Sequence, residues 1–140
     1  MKRTATAVWN GSGKDGTGNL TTQSTTLNKA NYSYKTRFEE GVGTNPEELI
    51  AAAHAGCYTM ALAFALQGAG FTPDSLETTS TITLDPSSWA PTITQSALVL
   101  KAKIPGITSE KFQELAKGAE QGCPVSRVLK AEITLDATLL

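Results

Sequence analysis

The chain has 140 residues, 40% of them hydrophobic and 18% charged, with a formal net charge of −1. That length supports one domain with a real core and is short for two, and the composition is that of a globular chain, not a disordered one. A near-neutral balance with no block of like charges argues against nucleic acid or an anionic membrane as the main partner, since both select a basic face.

Met1 to Asn10 begins basic but has no apolar run of the kind a signal peptide carries. A cytoplasmic location is the default expectation, and the triplets at Asn10, Asn19 and Asn31 are then chance matches to a glycosylation motif. Thr4 to Trp9 alternates as a strand does. Gly11, Gly13 and Gly16 match GxGxxG, yet Thr17 to Thr22 cannot open the helix that would hold a pyrophosphate, so a hairpin loop is the better reading. Leu20 to Leu27 and Asn31 to Phe38, rich in Thr and Tyr, read as further strands.

A strongly signalled helix follows. Asn45 can cap it, Pro46 suits its first position, and Glu48 stands where a capping box wants a carboxylate. The apolar run continues to Gln67, and Gly68, Gly70 and Pro73 end it. Leu49 to Leu66 approaches the length of a membrane span. It is Ala-rich, holds His54, Tyr58 and Thr59, and lacks basic flanks, which favours a buried core helix. Being apolar on nearly every side, it needs cover all round, and a second subunit would supply that most easily.

Ser75 to Asp85 alternates as a half-buried strand, Asp85-Pro86-Ser87-Ser88 turns the chain, and Thr92 to Ile104 is a second long strand. After Pro105-Gly106, Thr108 or Ser109 can cap a helix with Phe112, Leu115, Ala116 and Ala119 on its apolar face, closed by Gly122. Cys123 stands at the entry of a short helix with Pro124 first, and Glu132 to Leu139 is a closing strand. Helices and strands do not alternate, so the class is α+β: a single domain at 1–140, largely antiparallel sheet around a long buried central helix.

The chemistry lies with Cys57 and Cys123. Their wide spacing makes neither a CxxC pair, a zinc array nor a secreted disulfide framework; they are two buried thiols or a redox couple. Helix-end amides favour a thiolate at Cys123, whereas Cys57, mid-helix, needs a cation from elsewhere if it is to react. Arg37 is the nearest candidate, at a strand end, and Glu47 in the helix's first turn could hold it with a bidentate pair; each could equally be an ordinary solvated residue. His54, three residues before Cys57 and on the same helix face, could pair with it as in an acyl transferase or hydrolase. It could also be a buried histidine satisfied by a hydrogen bond, while ligands for a metal site are too few. Trp9, Trp89, Tyr32 and Tyr34 pack the core or line an apolar pocket.

Thr36-Arg37-Phe38-Glu39, Gly43-Thr44-Asn45-Pro46-Glu47-Glu48-Leu49, Ala53-His54-Ala55-Gly56-Cys57 and Gly122-Cys123-Pro124-Val125-Ser126 together resemble the OsmC branch of the OsmC/Ohr thiol peroxidases. The resemblance runs over essentially the whole chain. It implies an intertwined homodimer with two equivalent interface sites and a bacterial hydroperoxide reductase acting on organic hydroperoxides ahead of hydrogen peroxide. It makes Cys57 the peroxidatic and Cys123 the resolving cysteine, gives the family's arginine and glutamate to Arg37 and Glu47, and asks for no cofactor. In the Ohr branch the arginine comes from the early Gly-rich loop, where this chain has Lys14, which favours the OsmC branch. The reductant implied is an external dithiol, with a lipoyl-bearing protein the candidate. A similar fold serving as a binding or structural dimer without turnover is the rival expectation.

Overall fold

A computed structural model describes residues 1–87 and 89–140; Ser88, read from the sequence as part of the turn after Asp85, lies outside the described residues. The chain falls into two compact units, Met1–Leu49 and Ile50–Leu140.

In the first unit β1 (Ala5–Asn10), β2 (Thr17–Thr22) and β3 (Ala30–Ser33) form an antiparallel sheet in that order. The Gly-rich segment is the hairpin loop between β1 and β2, closed by Gly16 N–H donating to the Ser12 carbonyl at 2.8 Å. Trp9 pairs with Gly18 across the hairpin and its ring lies 5.3 Å from that of Tyr32; any side chain at position 18 would collide with both rings. Two expected strands are shorter than their composition suggests. β2 stops at Thr22 because the next turn puts Thr25 and Lys29 at positive φ, a conformation no strand continues through. β3 stops at Ser33 because Tyr34–Phe38 is a helix, α1. Ser33 Oγ accepts from Thr36 N–H while Thr36 Oγ1 accepts from Ser33 N–H, a capping box that overrides the strand preference of Tyr34 and Phe38. Arg37 therefore sits on a helical turn, not at a strand end.

Helix α2 spans Pro46–Gly68, and the unit boundary falls between its Leu49 and Ile50. Asn45 Oδ1 accepts from Glu48 N–H at 2.8 Å, as the cap reading requires. The rest of the second unit is β4 (Ser75–Asp85), β5 (Thr92–Lys103), α3 (Ser109–Gly122), α4 (Pro124–Val128) and β6 (Glu132–Leu139). β4 and β5 pair antiparallel. β6 returns through α3 and α4 to pair parallel with β5, the one parallel ladder among the described strands.

The core of this unit lies between helices and sheet. α2 contributes Tyr58, Leu62 and Leu66, β5 contributes Leu98, Leu100 and Ala102, and α3 contributes Phe112, Ala116 and Ala119. Alternation on β5 buries every second residue from Ser96 onward, so Ser96 is a hydroxyl in a row of core positions. By length and composition α2 could cross a membrane, with mean hydropathy 1.7, but its stripe His54, Tyr58, Leu62, Leu66 faces this core. Cover does not extend all round within the single chain: Met60 and Phe64 on α2 remain 62% and 68% exposed.

Candidate active site

Arg37 and Glu47 meet in the first unit. α1 presents the guanidinium and the first turn of α2 the carboxylate, with Nη2 2.7 Å from Oε1 and Nε 3.1 and 3.2 Å from Oε1 and Oε2. This is the fork-on-carboxylate geometry that fixes an arginine's direction as well as its charge. Asn45 supports it twice, capping α2 through Oδ1 and donating from Nδ2 to the Thr36 carbonyl of α1 at 2.9 Å. The guanidinium also lies 5.1 Å over the Phe38 ring. Nη1 makes no hydrogen bond among the described residues. A cavity of about 130 Å³ opens beside Arg37, lined by Trp9, Tyr32, Tyr34, Phe38 and Pro46. Three of the four aromatic residues singled out in the sequence thus line an apolar pocket; Trp89 is exposed. Lys14 stands exposed in the β1–β2 loop.

Cys57 and Cys123 meet in the second unit. Both are free thiols, Cys57 half-buried on α2 and Cys123 fully buried between α3 and α4, and each influences the other's ionisation. Their environments push them apart. Burial raises the Cys57 pKa, the Val125 amide opposes it, and the adjoining Cys123 raises it further. Burial alone would raise Cys123 too, but the neighbouring Ser126 amide, Cys57 thiol, Ser126 hydroxyl and Val125 amide lower its pKa, leaving it below the ordinary thiol value. Those amides are free because Pro124 opens α4 directly after Cys123, leaving the N–H groups of the first turn without helical partners.

His54 is fully buried between two hydroxyls: Nδ1 is 2.6 Å from Ser96 Oγ and Nε2 is 2.8 Å from Ser126 Oγ. Burial pushes its pKa down, so the imidazole is neutral at pH 7. With both nitrogens committed to serines, it forms no nucleophile–base pair with Cys57. Sequence reasoning missed these two serines. Ser126 lay in the Gly122–Ser126 block already singled out, and Ser96 carried a usable signal as the polar residue in the buried row of a strand. Among the described residues no cluster of three His, Cys, Asp or Glu side chains is arranged to hold a metal.

Residues 39–138 match the family described as OsmC-like protein. The chain belongs to that family. It is 50% identical over 133 residues to peroxiredoxin OsmC of Escherichia coli, covering 95% of this chain and 93% of the relative. To the organic hydroperoxide resistance protein of Xanthomonas axonopodis it is 32% identical over 103 residues, 71% and 68% of the two chains. The higher identity lies on the OsmC side. Among solved structures, an OsmC-like protein of unknown function from Vibrio cholerae superposes with a TM-score of 0.78 at 12% identity, covering 99% of both chains. OhrB of Bacillus subtilis gives 0.67 at 24% identity, covering 98% of both. At those identities the likeness is one of fold, and it places the α+β arrangement of this OsmC-like chain beyond its own sequence relatives.

Proposed function

We propose that this protein is a thiol peroxidase that reduces organic hydroperoxides, and hydrogen peroxide less efficiently, to alcohols or water. The observation that carries it is the pair of free thiols, Cys57 and Cys123, which share the second unit and influence each other's ionisation, with opposite pKa shifts. The names of the relatives, a peroxiredoxin and organic hydroperoxide resistance proteins, point the same way.

The Cys57 thiolate attacks one peroxide oxygen, the O–O bond breaks, and the departing alkoxide takes a proton to leave as alcohol. Cys57 is left as a sulfenic acid. Cys123 attacks that sulfur, the S–O bond breaks, and water leaves as the disulfide forms. An external dithiol, with a lipoyl-bearing protein our candidate, restores both thiols by exchange. Cys57 cannot draw its negative charge from the second unit alone, where burial and Cys123 oppose it. Arg37, oriented by Glu47, is the cation we assign to it, with Nη1 left to bind a peroxide oxygen. Aromatic walls beside that guanidinium suit the carbon substituent of an organic hydroperoxide. The two units act as one OsmC-like domain, a reading supported by a family match that runs through the boundary between them. The working protein is a cytoplasmic homodimer with two equivalent sites.

Consumption of cumene hydroperoxide in the presence of a dithiol tests the reading. Cys57→Ser is expected to abolish turnover, and Cys123→Ser to leave one oxidation per chain that persists as sulfenic acid. A Cys57→Ser protein as fast as the parent would leave only a binding or structural dimer.

A further inference from the structure

Cys57 lies where α2 is fastened to the rest of its unit. Among the described residues, the side-chain hydrogen bonds that α2 makes to the other elements of the second unit come from His54, Tyr58 and Thr59, all within one turn of that cysteine. Tyr58 donates to the Ala116 carbonyl of α3 at 3.4 Å, and Thr59 Oγ1 donates to Thr78 Oγ1 of β4 at 2.7 Å. His54, the only histidine of the chain, makes two such bonds. Its Nδ1 meets Ser96 of β5, whose Oγ is 3.2 Å from Ser80 Oγ on β4, and its Nε2 meets Ser126 of α4, where the line of bonds ends.

The bond between His54 and Ser126 is the one that joins the two elements carrying the thiols. His54 stands three residues before Cys57 on the same face of α2, and Ser126 three residues after Cys123. The bond therefore lies about one helical turn along the chain from each cysteine. α4 is a single turn, Pro124–Val128, too short to hold its shape unaided. Within 123–128 only Cys123 and Ser126 are buried. The polar anchor of that turn is thus the Ser126 hydroxyl, 2.8 Å from a ring that belongs to the Cys57 helix.

We propose that the His54–Ser126 hydrogen bond is a strap between α2 and α4 that sets the separation of the two cysteines, making His54 and Ser126 positioning residues for disulfide closure. A histidine suits the task because its ring is rigid and bonds from two edges. Holding Nδ1 on β5 fixes where Nε2 points. With the ring fully buried, loss of either serine would leave a ring nitrogen unpaired, so the folded chain keeps the strap closed. Cys57 packs against the buried cluster that contains Cys123. A disulfide tolerates only a narrow range of backbone separations, and a one-turn helix free to slide would leave that range often. The strap removes that freedom before oxidation begins.

In the peroxidase cycle, on which this role rests, the strap acts after peroxide has reacted. The Cys123 sulfur attacks the sulfur of the Cys57 sulfenic acid, the S–S bond forms, the S–O bond breaks, and the hydroxyl leaves as water with the proton of the attacking thiol. Neither His54 nor Ser126 gives or takes an electron in that step. They hold the reacting elements together, so loss of the strap slows closure and leaves the first attack on peroxide unchanged.

Equilibration of the full-length protein with glutathione reads the strap without any peroxide. Glutathione disulfide takes two electrons from the protein dithiol, giving the protein disulfide and two glutathione thiols. Ser126→Ala is expected to lower that equilibrium constant about fivefold, the ratio carried by one hydrogen bond of ordinary net strength. Ser126→Thr, which keeps the hydroxyl, is expected to restore it. Ser96→Ala is the control, since it takes a bond from the same ring without touching α4. It should lower the stability of the oxidised and reduced forms alike and move the constant by less than about twofold, within the scatter of an indirect effect. An unchanged constant in Ser126→Ala, or equal shifts in the two alanine variants, overturns the strap and leaves the cycle standing. A parent that forms no disulfide with glutathione disulfide overturns the cycle and the strap together. With cumene hydroperoxide, Ser126→Ala should lengthen the life of the Cys57 sulfenic acid about fivefold, by the same ratio, at an unchanged rate of first oxidation. Should Ser126→Ala fail to fold, nitrogen NMR of the single histidine in the parent decides. An Nε2 hydrogen-bonded alike in the dithiol and disulfide forms supports the strap, and loss of that bond on disulfide formation overturns it.

Discussion

The surroundings of Cys57 and Cys123 push the two thiol ionisations in opposite directions. Val125 and Ser126 offer Cys123 backbone amides, whereas Cys57 has one amide against burial and a neighbouring sulfur. A nucleophile at Cys57 therefore requires a cation, and the assignment of Arg37 is open to direct trial. Arg37→Ala is expected to raise the Cys57 pKa and slow cumene hydroperoxide reduction by more than about tenfold, the cost of a single pKa unit in thiolate. Stability should change by less than about 1 kcal/mol, because the guanidinium is 37% exposed and solvent screens its pair with Glu47. Initial rates and urea denaturation measure the two effects, and equal rates would remove Arg37 from the chemistry. At this scale the sequence was readable where chemistry is local. Cys123 before a proline announced its amides, and Arg37 with Glu47 announced a pair. His54 could be read as a buried, satisfied histidine, but its partners could not, since Ser96 and Ser126 reach it only through the tertiary fold.

Among the elements, legibility followed the range of the deciding interaction. α2 was bounded correctly because Asn45, Pro46, Gly68 and Gly70 act on their own neighbours. β4, β5 and α3 followed from periodicity, which reports one face against another. α1 did not, because Tyr34-Lys35-Thr36-Arg37-Phe38 has strand-forming composition and is made helical by a Ser33–Thr36 exchange of hydrogen bonds. The parallel pairing of β6 was equally hidden, since alternation fixes faces and is silent on which neighbour a strand chooses. Asn45 joins both kinds of information, capping one helix while tethering the carbonyl of another. Asn45→Ala is expected to cost about 1 kcal/mol as a lost cap. It should also loosen the α1 turn that carries Arg37, so peroxide turnover should fall while the Cys57–Cys123 disulfide still forms on chemical oxidation. Thermal unfolding and thiol titration after oxidation check both. A variant with parent stability would show that the cap bond contributes nothing.

For the whole molecule, the exposed apolar surface is the quantity left to explain. α2 buries one stripe and shows Met60 and Phe64 to solvent, and all six residues of β1 are exposed, Val8 and Trp9 among them. Fully burying a side chain of this size is worth roughly 1.5–3 kcal/mol, so a partner covering several of them would gain more than a folded domain can readily leave unused. A second copy of the chain is the partner we assign, because the helix that leaves Phe64 exposed also carries Cys57, so burying that face would couple assembly to the site. Phe64→Lys places a charge on that surface without touching the core stripe His54, Tyr58, Leu62 and Leu66. Sedimentation velocity is expected to show a dimer for the parent and a shift toward monomer for Phe64→Lys, with hydroperoxide reduction falling in proportion to the dimer lost. Raising the protein concentration should then recover dimer and rate together. A parent that sediments as a monomer at full activity would mean that one chain completes the site alone, and the exposed face of α2 would need another occupant.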